Sequence, residues 1–177
     1  MTVETSALTV QVPVIHTERL VLRAPRGGDL DALAAFYASP RSRWVGGPCT
    51  RFDAWMRLTA AIGHWILRGF GMWTVETREA REVAGRVGLL AHDGWPEPEL
   101  GWHLFDGFEG RGLAHEAALA ARRAARELFG RRRPISLIDP DNLRSRRLAE
   151  RLGARVERED VVLGHPCLVY RHPAEAL

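Results

Sequence analysis

The 177-residue chain contains no lysine, so all 25 of its basic side chains are arginines. This absence excludes a nucleotide site of the Walker A type, because that loop ends in Gly-Lys-Ser/Thr and uses the lysine to reach the phosphates. The formal net charge is only +3, with 22 acidic residues against the arginines. The overall charge therefore gives no indication of a nucleic-acid-binding protein.

Cysteine is almost as scarce. Cys49 and Cys167 are the only two, and their separation fits neither a metal-binding nor a redox motif. We expect both to be packing residues of a reduced chain. The seven histidines include no His-x-x-x-His pair on a predicted helix, so we also expect no metal site.

Long apolar runs are missing too, since none approaches the ~20 residues that a membrane-spanning helix needs. Residues 1–13 contain Glu4 and no basic residue of the kind that opens a secretory signal. The sequence thus predicts a cytoplasmic protein without a membrane partner, and its arginine- and alanine-rich composition is typical of a GC-rich bacterial genome. We expect one domain over residues 1–177, with 1–13 as a flexible tail.

Residues 99–153 carry the motifs around which the chain is organised. A predicted strand, 99–105, is followed by the turn 108–114 and then by an alanine- and arginine-rich helix to Phe129. Gly110 and Gly112 lie where the strand gives way to the helix, so main-chain N–H groups can point outward at the positive end of the helix dipole. This arrangement predicts an anion site, and a diphosphate fits it best because glycine permits close main-chain approach. The dinucleotide fingerprint Gly-x-Gly-x-x-Gly is excluded, because His115 stands where its third glycine belongs.

Hydrophobic periodicity and turn residues divide the remainder into alternating elements. The predicted strands are 16–23, 72–76, 83–91, 99–105, 134–138, 154–163 and 167–171, and the predicted helices are 30–38, 52–68, 113–129 and about 142–153. The pair 72–76 and 83–91 is expected to be an antiparallel hairpin. The strands before and after the 113–129 helix are expected to be parallel, with a right-handed crossover. Arginines 122, 123 and 126 are expected on the solvent face of that helix.

These motifs resemble the GNAT acetyltransferase superfamily, in particular its ribosomal-protein-alanine acetyltransferase branch. That branch has a strand like Glu99-Leu100-Gly101-Trp102, a turn like Gly110-Arg111-Gly112-Leu113-Ala114, and later an Asn-x-x-Ser like Asn142 to Ser145. The resemblance runs in order over most of the chain, from Thr17 onward. One departure is Glu109, where the family pattern has glutamine or arginine.

The resemblance implies an α/β (α+β) fold: a mixed, mostly antiparallel central sheet of about seven strands, with helices on both faces and one splayed parallel strand pair. It implies acetyl-CoA as co-substrate and direct transfer of the acetyl group, in a ternary complex, to a primary amine of a protein N-terminus or a small molecule. The residues implied to bind the coenzyme are Leu104, Phe105, Glu109, Gly110, Arg111, Gly112, Leu113, Ala114, Asn142 and Ser145.

Three residues are candidates for the chemistry. Glu99 and His103 fall on one face of their strand, with Gly101 leaving space between them, and either could remove a proton from the amine. The alternatives are that Glu99 is exposed and inert at the start of its strand, and that His103 is a packed core residue. Many family members carry a tyrosine as thiolate acid where this chain has Ala149, so Ser145 is the remaining candidate, although it and Asn142 could equally serve as capping residues.

Two other functions remain open. The departures at Glu109 and Ala149 are compatible with a non-catalytic acyl-CoA-binding or regulatory module. The arginines clustered between Arg111 and Arg151 could form a nucleic-acid patch, although such residues usually make a solvated helix face. The acceptor pocket is expected from 41–68 and the turn at Gly164, where Trp55 and Trp65 are either lining or core residues, and a homodimer is plausible in this branch.

Overall fold

The computed structural model describes Ser6 and residues 9–174. It contains eight strands and four α-helices in that part of the chain. The strands are β1 (Ile15–His16), β2 (Leu20–Arg23), β3 (Met72–Thr77), β4 (Val83–Leu90), β5 (Glu99–Leu104), β6 (Ile135–Ile138), β7 (Arg155–Val162) and β8 (His165–Arg171). The helices are α1 (Leu30–Ala38), α2 (Arg51–Arg68), α3 (Leu113–Glu127) and α4 (Leu143–Arg151). Short 3-10 helices occupy Gly27–Asp29 and Pro40–Val45.

All eight strands form one sheet in the order β1-β2-β3-β4-β5-β6-β8-β7. Every neighbouring pair is antiparallel except β5 and β6, which are parallel and joined through α3. The predicted mixed sheet with one parallel pair is therefore confirmed, and so is the hairpin of β3 and β4. The described residues have one strand more than predicted, because a turn closed by the Thr17 N–H on the Leu20 carbonyl (2.9 Å) divides the predicted strand 16–23 into β1 and β2.

Each face of the sheet has its own apolar core. On one face, alternate strand residues such as Leu20, Val75 and Leu100 pack against α3, whose alanines let the helix approach the sheet closely. On the other face, α1 and α2 pack together over the strand ends, with Phe36 and Phe105 in contact. Helices thus cover both faces, as predicted.

One expectation for α3 was wrong. Arg122 was expected on the solvent face, but only 3% of it is exposed, and its Nη1 donates a hydrogen bond to the Leu152 carbonyl at the end of α4. For the two tryptophans of α2, lining and core were both open: Trp65 is a core residue, whereas Trp55 is exposed. Trp65 therefore does not line an acceptor pocket, and it donates its indole N–H to the Met72 carbonyl at 3.0 Å.

Residues 9–13 of the predicted tail have no regular secondary structure, yet they contact the core. Val10 and Val12 pack against the α3-side cluster, and the Pro13 carbonyl accepts a hydrogen bond from the Trp73 indole at 2.8 Å. Residues 1–5, 7 and 8 of the same predicted tail lie outside the described residues. Among the helices that are described, none is long and apolar enough to cross a bilayer.

Candidate active site

Strands β5 and β6 separate almost as soon as they meet. Their only register pair is Glu99 with Ile135, where the Ile135 N–H donates to the Pro98 carbonyl at 3.2 Å. From the next residue of each strand onward, hydrogen bonds made by side chains take the place of main-chain hydrogen bonds between the two strands. The Ser136 hydroxyl donates to the Leu100 carbonyl at 2.6 Å, and the Leu137 N–H donates to the Glu99 carboxylate at 3.3 Å. The sheet therefore opens into a cleft whose closed end is made by Glu99 and Ser136.

Glu99 is held at that closed end by two donors. Its Oε2 accepts a hydrogen bond from the Trp95 indole at 2.7 Å, and its Oε1 accepts the one from Leu137. Burial raises the pKa of the Glu99 carboxyl, and the two hydrogen bonds partly oppose that effect. Glu99 is thus half-buried and fixed in the cleft, which differs from the alternative of an exposed, inert residue at the strand start.

The β5 edge of the cleft offers unpaired main-chain groups. The Leu100 carbonyl faces the cleft, and main-chain groups of alternate strand residues face the same edge, so those of Trp102 and Leu104 also face it. The N–H of Phe105, which was predicted to contact the coenzyme, instead donates to the Ala84 carbonyl at 2.8 Å. Of these two residues implied to bind the coenzyme, Leu104 is therefore the one whose N–H faces the cleft.

The glycine turn lies beyond the far end of β5 and leads into α3. Gly110 and Gly112 both have left-handed backbone conformations, with φ of +73° and +77°. A Cβ at Gly110 would have no neighbour within 4 Å, and one at Gly112 would meet only the Arg19 guanidinium at 3.5 Å. Gly112 is the N-cap of α3 and provides no side chain to bind the first N–H groups of the helix. The turn is open at both glycines, and an anion site at the start of α3 stays a prediction.

An ion pair fixes the orientation of this helix start. The carboxylate of Glu116, in the first turn of α3, accepts hydrogen bonds from the Thr17 hydroxyl (2.6 Å), the Arg19 N–H (2.9 Å) and the Arg19 Nε (2.7 Å). Arg19 also donates to the Arg111 carbonyl at 2.9 Å. These contacts join the turn to the segment between β1 and β2, and they lower the pKa of Glu116 despite the opposing effect of burial.

Glu109 brings two arginines to the edge of the turn. Its Oε2 lies 2.6 Å from Arg41 Nη2 and 3.1 Å from Arg144 Nη1. Arg41 comes from the 3-10 helix before α2 and also contacts Asp106 at 3.0 Å, while Arg144 belongs to the first turn of α4. The glutamine or arginine that the family pattern has at position 109 is absent, but two arginines reach the same place from other segments.

Asn142 and Ser145 lie at the start of α4, after β6. The Asn142 Oδ1 accepts a hydrogen bond from the Ser145 N–H at 3.2 Å, so Asn142 caps the helix. The Ser145 side chain is half-buried. Ala149, at the position of the missing tyrosine, packs in a cluster with Tyr170, whose hydroxyl donates to Glu150 at 3.3 Å and accepts from Arg146 Nε at 3.2 Å. Hydrogen bonds to two charged side chains therefore hold the Tyr170 hydroxyl, whereas the Ser145 hydroxyl has no such partner among the described residues.

His103 lies on the β5 face that α1 covers. Its ring stacks on Phe36 with centroids 4.9 Å apart, and its Nε2 is buried without a hydrogen-bond partner among the described residues. Burial, together with the nearby positive charges of Arg86 and Arg57, lowers the pKa of His103 to about 3. The imidazole is consequently neutral at pH 7 and a much weaker base than Glu99.

Known proteins support the interpretation of this cleft. The Acetyltransferase (GNAT) domain family matches residues 19–155. An acetyltransferase from Agrobacterium tumefaciens is 36% identical, with a TM-score of 0.85 over 96% of this chain and 99% of that one. A protein described as a GNAT-family acetyltransferase from Bordetella pertussis is 30% identical, with a TM-score of 0.78 over 91% and 99% of the two chains.

The chain belongs to the GNAT acetyltransferase family. It is an N-acetyltransferase that uses acetyl-CoA as its co-substrate. A ribosomal L7/L12 alpha-N-protein acetyltransferase in complex with coenzyme A shares the fold, with a TM-score of 0.75 over 91% of this chain and 98% of that one, but its 19% identity supports no more than the fold.

Several residues of this acetyltransferase site were not identified from the sequence. Trp95 and Ser136 hold the closed end of the cleft, and Arg41 and Arg144 reach the turn. The Asn-x-x-Ser motif gave a signal for the start of α4, and therefore for Arg144 within it. No such signal marks Trp95, Ser136 or Arg41, because their roles depend on contacts between segments distant in sequence.

Proposed function

We propose that this acetyltransferase moves the acetyl group of acetyl-CoA directly onto a primary amine, with both substrates bound in the same cleft. The observation that carries the proposal is the opening of the sheet between β5 and β6, with an uncapped, glycine-lined helix start beyond one end and Glu99 at the other. This geometry separates a site for an anionic group from a site for proton transfer.

The main-chain N–H groups of residues 110–114 would bind the diphosphate, together with Arg144 and Arg41 once they leave Glu109. The pantetheine arm would enter the cleft from the turn and pair with Leu104 first and Trp102 next, because their main-chain groups face the open edge. This direction brings the thioester toward the closed end, closer to Gly101 than to Phe105. Asn142 and Ser145, at the start of α4, would line the opposite side of the cleft.

Glu99 is the base that we assign to the amine. A Cβ at Gly101 would have Leu90 Cδ1 at 3.4 Å, Glu99 Oε1 at 3.9 Å and Met72 Cε at 4.0 Å as neighbours. An amine placed over Gly101 would therefore lie beside the carboxylate and two apolar side chains. The raised pKa of Glu99 makes it a stronger base than an ordinary carboxylate. His103 is four residues along the strand, roughly 13 Å away, so the two side chains do not serve the same nitrogen atom. The Ser145 hydroxyl is our candidate proton donor to the departing thiolate.

The test measures release of free thiol from acetyl-CoA in the presence of primary amines, including N-terminal peptides and small molecules. We expect thiol release that depends on the amine and yields the acetylated product by mass spectrometry. The non-catalytic alternative predicts coenzyme binding by calorimetry without thiol release from any acceptor. A nucleic-acid binder would instead give salt-dependent binding to RNA and no heat with acetyl-CoA.

Cytoplasmic location and a homodimer stay predictions. The exposed side chains Phe52, Trp55 and Met56 form an apolar strip at the start of α2. Sedimentation at micromolar concentrations would determine whether two chains associate.

A further inference from the structure

Arg86 is a buried arginine without an acidic partner in the described part of the chain. It lies in the middle of β4 and is only 5% exposed, and neither its Nε nor its Nη2 has a hydrogen-bond partner there. An arginine keeps its charge under all physiological conditions. A buried charge that lacks a counter-charge is destabilising, so such a residue is retained where a ligand supplies the missing anion.

The carboxylate whose charge acts on Arg86, that of Asp29, is already hydrogen-bonded to other groups. Asp29 accepts hydrogen bonds from both Arg23 terminal nitrogens (2.7 and 3.0 Å), from the Thr74 hydroxyl (2.7 Å) and from the Arg26 N–H (3.1 Å). Its oxygens are therefore saturated by three other residues. Burial lowers the pKa of Arg86, and the charge of Asp29 opposes that effect, but the two side chains form neither a hydrogen bond nor an ion pair.

Other groups around Arg86 are cationic or lack a hydrogen-bond partner, although Arg57 donates hydrogen bonds to the Val45 and Gly46 carbonyls (3.4 and 2.8 Å). Arg86 is the cross-strand partner of His103, whose Nε2 is likewise buried and unpartnered. The Arg57 guanidinium lies over the Tyr37 ring, 4.8 Å from its centroid, and the charges of Arg57 and Arg86 both lower the pKa of His103. Arg86, Arg57, Tyr37 and His103, called here the arginine cluster, thus form a positively charged site between the sheet and helices α1 and α2.

The arginine cluster is next to the position that we assign to the amine. His103 follows Gly101 by two residues on the same face of β5, a distance of roughly 7 Å. Glu99 lies two residues from Gly101 in the other direction. An acceptor over Gly101 would therefore have the base on one side and the positive site on the other.

We infer that the acceptor is a small amine that carries a carboxylate a few bonds from its nitrogen, such as a free amino acid, and that Arg86 binds this carboxylate. The inference rests on the proposed acetyl transfer and names its substrate class. A bidentate pair between the guanidinium and the carboxylate fixes the amine beside Glu99. A protein N-terminus lacks the carboxylate at this position and leaves Arg86 unpaired.

The decisive experiment compares amino acids with their own primary amides, using an apolar, an aromatic, an acidic and a basic side chain. For each pair, kcat/KM is measured by thiol release in the wild type, in Arg86→Met and in Arg122→Met. Arg122→Met is the matched control, because it also removes a buried arginine but on the opposite face of the sheet. Comparing ratios between variants cancels the difference in basicity between an amino acid and its amide.

We expect the wild type to prefer at least one amino acid over its amide. We expect Arg86→Met to reduce that preference by about 10- to 100-fold, the loss typical of a hydrogen bond to a charged group, while turnover of the amide is kept. Arg122→Met should leave the preference unchanged. Equal use of both members of every pair by the wild type, or equal losses for both members in Arg86→Met, would overturn the inference.

A second readout does not need turnover. Melting temperatures are measured with an N-acetyl amino acid or its amide, in the presence of coenzyme A. The carboxylate should raise the melting temperature of the wild type and of Arg122→Met but not that of Arg86→Met, and the amide should raise none of them. If no amine releases thiol, acetyl transfer fails as the proposed function, and a wild-type melting temperature unchanged by every N-acetyl amino acid overturns the carboxylate site by itself.

Discussion

His172 is completely buried at the end of β8, and its surroundings define its protonation. The single proton of the Ser136 hydroxyl goes to the Leu100 carbonyl, so the His172 Nε2, 2.9 Å from the same hydroxyl oxygen, must be the donor in that contact. Its Nδ1 has no partner among the described residues. Burial lowers the pKa of His172 to about 3. The native protein therefore holds a neutral imidazole behind the closed end of the cleft.

This neutral histidine makes stability depend on pH. In the unfolded chain a histidine has a pKa near 6.5, so below that pH the unfolded state binds a proton that the native state does not. We expect the free energy of unfolding to fall by roughly 1 kcal/mol per pH unit for this residue as the pH is lowered from about 6.5 to 5. Urea denaturation of the wild type and of His172→Gln at pH values across this range measures the free energy of unfolding.

The carboxylates with lowered pKa values, such as Glu116 and Asp29, lose their stabilising charge at lower pH and do not contribute in this window. The variant should therefore show a smaller slope of stability against pH, whatever its absolute stability. Parallel curves for the two proteins would contradict a neutral His172 in the native state.

Glu99 gives a prediction for activity against pH. Its pKa is raised by burial and held down by the hydrogen bond from Trp95, so Trp95→Phe should raise it further and move the acidic limb of kcat/KM to higher pH. Glu99→Gln should lower kcat by about 100-fold or more and remove that limb. His103→Phe is the control and should leave the limb in place, because His103 is already neutral throughout this range. If His103→Phe moves or removes the acidic limb of kcat/KM, then the His103 imidazole and not Glu99 is the base.

At the residue scale, the sequence predicted which residues share a face of a strand better than it predicted the burial and the hydrogen-bond partners of their side chains. The period of the strand put Glu99 and His103 on one face correctly, since alternation is a local property. The strand period did not indicate that Trp95, in the preceding turn, donates a hydrogen bond to Glu99. It also did not indicate that Arg86 is the buried arginine opposite His103. Burial of a charged side chain depends on which helix covers it, and that is decided by tertiary packing.

At the scale of elements, α3 shows both the strength and the limit of periodicity. The helical period predicts an apolar stripe of Leu113, Ala117, Ala120, Ala121, Ala124 and Leu128. Of its alanines, Ala117, Ala121 and Ala124 are buried and Ala120 is half-buried. Leu128, expected in the same apolar stripe, is 55% exposed because the helix ends at Glu127 and the chain turns at Gly130. Arg122 is buried because its long side chain reaches a carbonyl at the end of α4. The helical period predicts on which face of a helix a residue lies, but it does not predict which groups a long arginine side chain contacts.

The start of α3 allows a matched glycine experiment. Gly110 and Gly130 lie at opposite ends of the helix, both have positive φ, and a Cβ at either would have no neighbour within 4 Å. Alanine at each position should cost a similar ~1 kcal/mol of stability through backbone strain. Only Gly110→Ala should weaken acetyl-CoA binding, by about tenfold or more, because its methyl group occupies the anion site. Calorimetry measures the affinity, and equal affinities for both variants would exclude the turn as the diphosphate site.

At the scale of the whole molecule, the sheet consists of two parts joined by a short contact. One part is β1 to β5 and the other is β6, β8 and β7, and the parts meet at Glu99–Ile135 and at the side-chain hydrogen bonds of Ser136 and Glu99. The strand–helix–strand pattern predicted that β5 and β6 are parallel neighbours. It could not predict the length of their pairing, because that depends on two side chains that replace main-chain bonds.

A coenzyme bound in the cleft would complete the sheet at the point where its own strands part. Its arm would supply hydrogen-bond partners to the cleft-facing N–H groups of Trp102 and Leu104, so these amides should exchange with solvent more slowly when acetyl-CoA is added. The amide of Val169, in β8 and paired within the second part, should change much less. Hydrogen–deuterium exchange with and without acetyl-CoA measures both. If amide exchange slows equally in all strands, binding only makes global unfolding rarer. Slower exchange confined to β5 would follow from an arm that pairs with the open edge of that strand.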